Sequence, residues 1–374
     1  MLSRTRLTCA CLAAAALATT GALTAASTAT AAPTAKPTPK WSRTLTTDVL
    51  APFQLAVPAG KVYVADGFTG QVSRIERGTL VPIVTVEGEV AGVDQSVDGL
   101  SLAWTSSTAD GTFLTVRTKG KADVVTNLAA FEAQHNPDGN VTYGLQNNPA
   151  GCDAGKAWLA LPEVTGLPAT YQGQVDSHPY SVVSLRKGDW AVADAAANDI
   201  IKVDAKGNPS VIAVLPKQPL VVTQAFLDAQ GAPQEASCLA GLTYAFEPVP
   251  TDVERGTQNR LWVSTLPGGP EDPSAGARGS VYTVYQSTGA STLYATGFAG
   301  ATNLAVAPEG TVYVTELFAN KITKVATNKV KSTFAALPGA LSVEFFGNKL
   351  YAGTLALFGD NGPAGPGTVV ELGR

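Results

Sequence analysis

The chain has 374 residues, of which 45% are hydrophobic and 15% charged, with a formal net charge of −4. A moderate charge density with apolar alternation throughout argues against disorder, and the absence of any Lys/Arg cluster argues against a nucleic-acid binder. The only histidines, His135 and His178, exclude a histidine-rich metal centre, and no GxSxG marks an esterase-type nucleophile.

Residues 1–31 read as an export signal rather than structure. Arg4 and Arg6 give a basic start, residues 7–23 are Ala/Leu-rich and uncharged, and Ala29-Thr30-Ala31 is a small-x-small cleavage site. Thr19, Thr20 and Gly21 interrupt the apolar run, which argues against a spanning helix. Cys9 and Cys11 stand at its start, the wrong place for a lipid anchor. The expectation is a secreted, extracellular protein with no membrane span in its mature form. Loss of the two arginines would lower the charge from −4 to −6. Residues 32–40, with three prolines, read as an extended linker, and residues 41–374 as one folded domain.

A repeat organises that domain. GKVYVADGFTGQVSRI from Gly60, GDWAVADAAANDIIKV from Gly188 and GTVYVTELFANKITKV from Gly310 align without gaps. Each opens on Gly, carries an acid six residues later (Asp66, Asp194, Glu316) and ends in a basic-aliphatic pair. Two short strands joined by a small loop and recurring along a chain are the middle of a propeller blade. The pattern predicts an all-β, six-bladed propeller.

Residues 41–50 look like an outer strand with nothing before it to pair with. They are expected to complete the last blade, joining the chain ends and removing an open edge. Blade one is read at 53–86 and blade two at 90–128, with turns at Asp98-Gly99 and Asp110-Gly111. Residues 129–177 interrupt the rhythm. They hold a short helix expected near Leu128–His135 with Asn127 as its N-cap, and a seventh blade would have to be built from them. Blade three is read at 179–216. A second insert covers 217–241. Blade four is read at 242–298, with LTYAFEP as its inner strand and inserts at 251–258 and 267–279. Blade five is 301–338. Blade six is 340–372, with a loop at 356–367.

In such a meander, loops between second and third strands and links between blades emerge on one face. Four of the five long inserts fall there, which marks that face as a working one. Both cysteines left after processing, Cys152 and Cys238, lie in those inserts and are expected to form a disulfide. Channel-mouth candidates are Gln54, Asp94 and His178, and Asp176, Asn303 and Glu344 are candidate ligands for a hard divalent cation such as Ca²⁺. The competing reading makes these satisfied polar residues of a wet channel, with His178 bonded to a neighbouring loop. For the repeated acids, loop-capping hydrogen bonds are favoured over metal binding. The tyrosines and tryptophans fall mostly within second and third strands and read as packing between blades.

The stretch 176–181 followed by DWAVADAAANDIIKVDAKGNPSVIAVLP resembles the ScyD/ScyE family of exported bacterial propeller proteins. Asn136-Pro137-Asp138-Gly139, the YATGF from Tyr294 and the NLAVAPEGTVYV from Asn303 extend the resemblance over most of the mature chain. His178 and Ser181 depart from it, standing where Asn and Gly are usual. The resemblance implies an exported propeller and transfers no catalytic residues.

Two functional classes lead, and a third makes the protein a structural envelope or assembly component whose face docks partners. One is a binding or interaction protein using its insert-bearing face, its partner a small molecule or an envelope or extracellular protein. The other is a metal-assisted, lactonase-like hydrolase at the channel mouth, with a divalent cation as its only cofactor.

Overall fold

The computed structural model describes residues 39–147, 150–270, 273–359 and 362–374. The export segment, and all of the linker before residue 39, lie outside the described residues.

Short apolar alternations cut by Gly, Asn and Asp favour hairpins over helices, and strands dominate. Among the described residues there are seven four-stranded antiparallel sheets, one two-stranded hairpin and few helices. Five of the sheets take four consecutive strands each. The first runs through Pro52–Ala56, Tyr63–Asp66, Gln71–Glu76 and Thr79–Thr85, and the second from Gly88–Gln95 to Val124–Asn127. The third runs from Pro179–Ser184 to Pro209–Val214, the fourth from Pro250–Arg255 to Ser291–Phe298, and the fifth from Ala301–Val306 to Lys331–Ala336. The sixth joins Ala340–Phe346, Lys349–Thr354 and Gly367–Gly373 to the N-terminal Ser42–Val49, which pairs antiparallel with Gly367–Gly373. The opening strands of these six sheets touch in succession, and the sixth touches the first.

The core is distributed between neighbouring sheets. Leu55, Val62 and Val64 of the first pack on Tyr351 and Val369 of the sixth. Val183, Ala191 and Ile200 of the third pack on Val253, Leu261 and Val263 of the fourth. The repeated hairpins need their tight turns. Gly70, at φ 63°, lies so close to Gly88 that a Cβ would come within 2.5 Å of the Gly88 carbonyl oxygen.

The seventh sheet alters the reading of the inserts. It takes Thr142–Leu145 and Thr170–Gln172 from one insert and Gln218–Val221 from the other, with Thr243–Phe246 between them. Thr243–Phe246, expected as the opening strand of the fourth sheet, therefore belongs to the insert body. Pro250–Arg255 takes its place, covering the start of the supposed insert at 251–258. The physical reason is local polarity. Thr243–Phe246 is more apolar, whereas the true strand carries Asp252 and Glu254 inward and loses its hydrophobic signature.

Helices α1 (Leu128–His135), α2 (Asp153–Leu159) and α3 (Gln224–Ala229) complete the insert region. The Asn127 side chain caps α1 by accepting from the Ala130 N–H, as expected. The insert has its own core of Leu145, Cys152, Trp158, Leu227, Leu239 and Tyr244, and the Cys152–Cys238 disulfide ties that core to the exposed Cys238.

Candidate functional site

Each opening strand presents a free edge at the centre of the ring, and its outward backbone N–H groups need partners. A register irregularity near the start of the strand sets which side chains turn toward neighbouring sheets. The residue after it is Gln54, Ser181, Asp252, Asn303 and Ser342 in the first, third, fourth, fifth and sixth sheets, while in the second sheet Gly92 lies within it. The five polar residues latch one sheet to another. Gln54 Oε1 accepts from the Val93 N–H at 2.8 Å and the Val182 N–H at 3.1 Å. Ser181 Oγ accepts from the Val253 N–H at 3.2 Å, and Asp252 Oδ2 from the Leu304 N–H at 2.9 Å. Asn303 Oδ1 accepts from the Val343 N–H at 2.8 Å, and the Ser342 hydroxyl donates to the Pro52 carbonyl at 2.6 Å. Gln54 Nε2 and the Ser181 hydroxyl also donate to neighbours across the centre, including Asp252. The ring is a hydrogen-bonded plug that the sheets share.

Two residues further along each strand the pattern alternates: Ala56, Asp94, Val183, Glu254, Ala305 and Glu344. The three carboxyl groups therefore come from every second sheet. They line a cavity of about 490 Å³ together with Gln54, Arg255 and the turns at Pro58-Ala59 and 96–99. These turns join first and second strands, so the cavity opens at the end of the ring away from the inserts.

Burial dominates the electrostatics here. It raises Asp94 to about 6, against the pull of the Ser184 and Gln95 N–H groups and Arg255. It raises Glu344 to about 8, with Asp94 and Asp252 adding repulsion. It holds Glu254 well above the carboxylate range, with Glu344 the next cause. Asp252, in the plug beneath, is raised to about 7 by burial. Glu344 and Glu254 share a hydrogen bond, which requires a proton on one of them. Near neutral pH the cavity thus holds an ionised acceptor, Asp94, beside protonated donors. No His, Cys or Lys side chain lines it.

The candidates read from the sequence separate into levels. Gln54, Asp94 and Glu344 meet at this cavity. Asn303 lies in the plug, with its amide oxygen committed to Val343. Asp176 and His178 precede the strand Pro179–Ser184, at the insert end. His178 Nε2 lies 2.5 Å from Glu89 Oε1, and its backbone N–H donates to Asp194. Asp176, Asn303 and Glu344 therefore do not converge. Among the described residues, no three His, Cys, Asp or Glu side chains stand grouped so as to hold a metal ion. The repeated acids cap loops. Asp66 accepts from the Leu50 and Ala51 N–H groups, Asp194 from His178 and Ala197, and Glu316 from Ala299.

Sequence reasoning missed Glu254 and Asp252 because their strand was assigned to an insert. A usable signal existed: a polar residue third from the start of the opening strand, in every one of these sheets but the second.

No protein-family profile matches the chain. No curated protein matches it either. Solved structures do. The PQQ-bound aldose sugar dehydrogenase from Streptomyces coelicolor aligns over 90% of this chain and 99% of its own, at 13% identity and TM-score 0.54. A gluconolactonase from Xanthomonas campestris aligns over 89% of each chain at 11% identity and TM-score 0.50. Virginiamycin B lyase from Staphylococcus aureus aligns over 89% of this chain and 98% of its own at 14% identity, with a TM-score of 0.46. At these identities the likeness to the first two establishes the β-propeller fold and nothing about activity. Among the described residues no helix is long and apolar enough to cross a membrane.

Proposed function

We propose that the protein is an exported, six-bladed propeller of the ScyD/ScyE kind, closed by its N-terminal strand, that binds a small hydroxyl-rich molecule in the carboxyl-lined cavity. The observation that carries this reading is the alternation of Asp94, Glu254 and Glu344 around the ring. Protonated carboxyls donate to hydroxyl or carbonyl oxygens, and an adjacent carboxylate accepts from hydroxyls, which suits neighbouring oxygens on a sugar or sugar lactone. The wide mouth and a largely preformed lining favour a small ligand over a protein partner. This moves the binding site from the insert-bearing face to the opposite end.

Isothermal titration with neutral sugars and aldonolactones tests it. A binder is expected in the panel, weakened at least tenfold by Glu344→Gln and by Asp94→Asn, and untouched by Glu309→Gln on the exterior. A panel that gives no heat, or binding indifferent to Glu344, would sink the reading. The hydrolase alternative is kept by one feature, the proton shared between Glu254 and Glu344, which a general acid–base pair requires. Product analysis of the same mixtures separates the two: ring-opened acid formed from a lactone, and lost in Glu254→Gln, means turnover.

A further inference from the structure

The turn that joins the first two strands of the second sheet, residues 96–100, satisfies its polar groups internally. The Ser96 hydroxyl donates to Asp98 Oδ1 at 2.6 Å, and the same oxygen accepts from the Leu100 N–H at 3.0 Å. The Ser101 N–H donates back to Ser96 Oγ at 2.8 Å. The Val97 N–H donates to the Ser184 hydroxyl, which ties the turn to the third sheet. With the polar side chains turned in, the apolar ones face out: Val97 is 64% exposed and Leu100 57%. Single apolar residues on a surface need no explanation, but these two flank one cleft.

That cleft lies between the second and third sheets, at the end away from the inserts, and measures about 540 Å³. Val116 and Val124 of the second sheet and Leu185 and Trp190 beside them give it an apolar wall. Val116 and Val124 are only half-buried, so apolar surface is left for a ligand to cover. Lys121 lines the cleft from the outer turn of the second sheet, and Arg186 and Lys187 from the first turn of the third. All three cations are exposed, and none forms an ion pair among the described residues. The acids nearby are engaged elsewhere. Asp98 is held in its own turn, and Asp204 accepts from the Asn208 N–H at 2.9 Å. Asp123 pairs with Arg117, and Asp189 with Lys202.

We propose that this cleft binds an amphiphilic organic anion of the medium-chain carboxylate kind, its chain against Leu100, Val116 and Val124 and its acid group among Lys121, Arg186 and Lys187. Covering the apolar wall drives the chain in, and guanidinium or ammonium groups give the acid charge-assisted hydrogen bonds. The volume is that of a small-molecule site. A bare sugar would leave the wall uncovered. Single-stranded nucleic acid would need exposed aromatic faces and a track of cations, whereas Trp190 is 1% exposed and the cations are gathered at one cleft. The cleft shares the turn 96–98 with the carboxyl-lined cavity but not Asp94, Glu254 or Glu344, and the proposal does not rest on the sugar reading of that cavity.

The test is isothermal titration of the full mature protein with sodium octanoate, 1-octanol and sodium butyrate. Octanoate is expected to bind, about tenfold or more tighter than octanol, which lacks the charge, and than butyrate, whose chain is shorter. Its affinity should fall as sodium chloride is raised from about 50 mM to about 500 mM. Lys121→Glu combined with Arg186→Glu should weaken octanoate about tenfold or more, and Leu100→Asn should weaken it several-fold. Lys61→Glu combined with Arg77→Glu, the same charge change on the first sheet, should leave it within about twofold. These positions are all exposed in turns, so the variants should keep the wild-type melting temperature. No heat from octanoate, equal binding of octanoate and octanol, or binding indifferent to the Lys121 and Arg186 changes would each overturn the proposal. Co-sedimentation with phosphatidylglycerol vesicles without octanoate binding would overturn it too, by showing that Val97 and Leu100 enter a bilayer instead.

Discussion

Glu344 holds a proton that an extended chain would release near pH 4.5, because burial raises it to about 8. A carboxyl raised in the folded state keeps more protons folded than unfolded. Its contribution to stability is therefore fully present below about 4.5 and is lost as pH rises to about 8. Asp94 acts the same way between 3.8 and about 6. Asp98, Asp123 and Asp204 are lowered by their hydrogen-bond partners and have the opposite sign, but their gain is complete once pH passes the ordinary carboxylate range. A thermal scan from pH 5 to 8 should therefore show a falling melting temperature, shallower in Glu344→Gln than in wild type. An equal slope in both would place the proton elsewhere. At the same scale, the repeated acids Asp66, Asp194 and Glu316 were legible in the sequence as loop caps, since a fixed acid per hairpin answers a fixed set of backbone N–H groups. Glu254 was not, because its importance comes from which neighbour faces it across the ring.

Elements show where local pattern and tertiary context part. The hairpins at Gly60, Gly188 and Gly310 formed as read, because tight turns and alternating apolar residues leave one solution. Thr243–Phe246 carries an equally good strand pattern, yet it pairs with Thr142–Leu145 and Gln218–Val221 in a sheet that two distant inserts build together. Nothing within ten residues of it announces those partners. The Cys152–Cys238 bridge closes a span of 86 residues and sits inside this body rather than in the ring. Chain-entropy arguments put the stabilisation at about 4.6 kcal/mol for such a loop. Cys152→Ser with Cys238→Ser should accordingly loosen the insert first. Limited proteolysis should cut within 150–240 while the ring sheets stay protected, and a protease pattern identical to wild type would refute that localisation.

For the whole molecule, the pairing of the two chain ends is the controlling feature. Ser42–Val49 covers the edge of Gly367–Gly373, and Val49 is fully buried. Arg43 and Lys349 both pair with Glu371 on that seam. Deleting residues 39–49 would expose an apolar, unpaired edge, the surface that chains use to aggregate. The truncated chain should elute as higher species in size-exclusion chromatography with light scattering and melt well below wild type. A stable monomer would mean that the ring does not depend on the seam.

The sequence by itself determined the strand-and-turn alphabet, the repeat, the caps, the pairing of the last two cysteines and the strand that seals the chain ends. Each of these rests on local periodicity or on a short inventory, and both survive in one dimension. Only the tertiary structure decided which side chains meet at the centre. It placed Asp94 with Glu254 and Glu344, and kept Asp176 and Asn303 apart from them. Residues from separate sheets become neighbours only when the sheets pack together. Their shifted proton affinities then follow from shared burial, which no single stretch of chain contains.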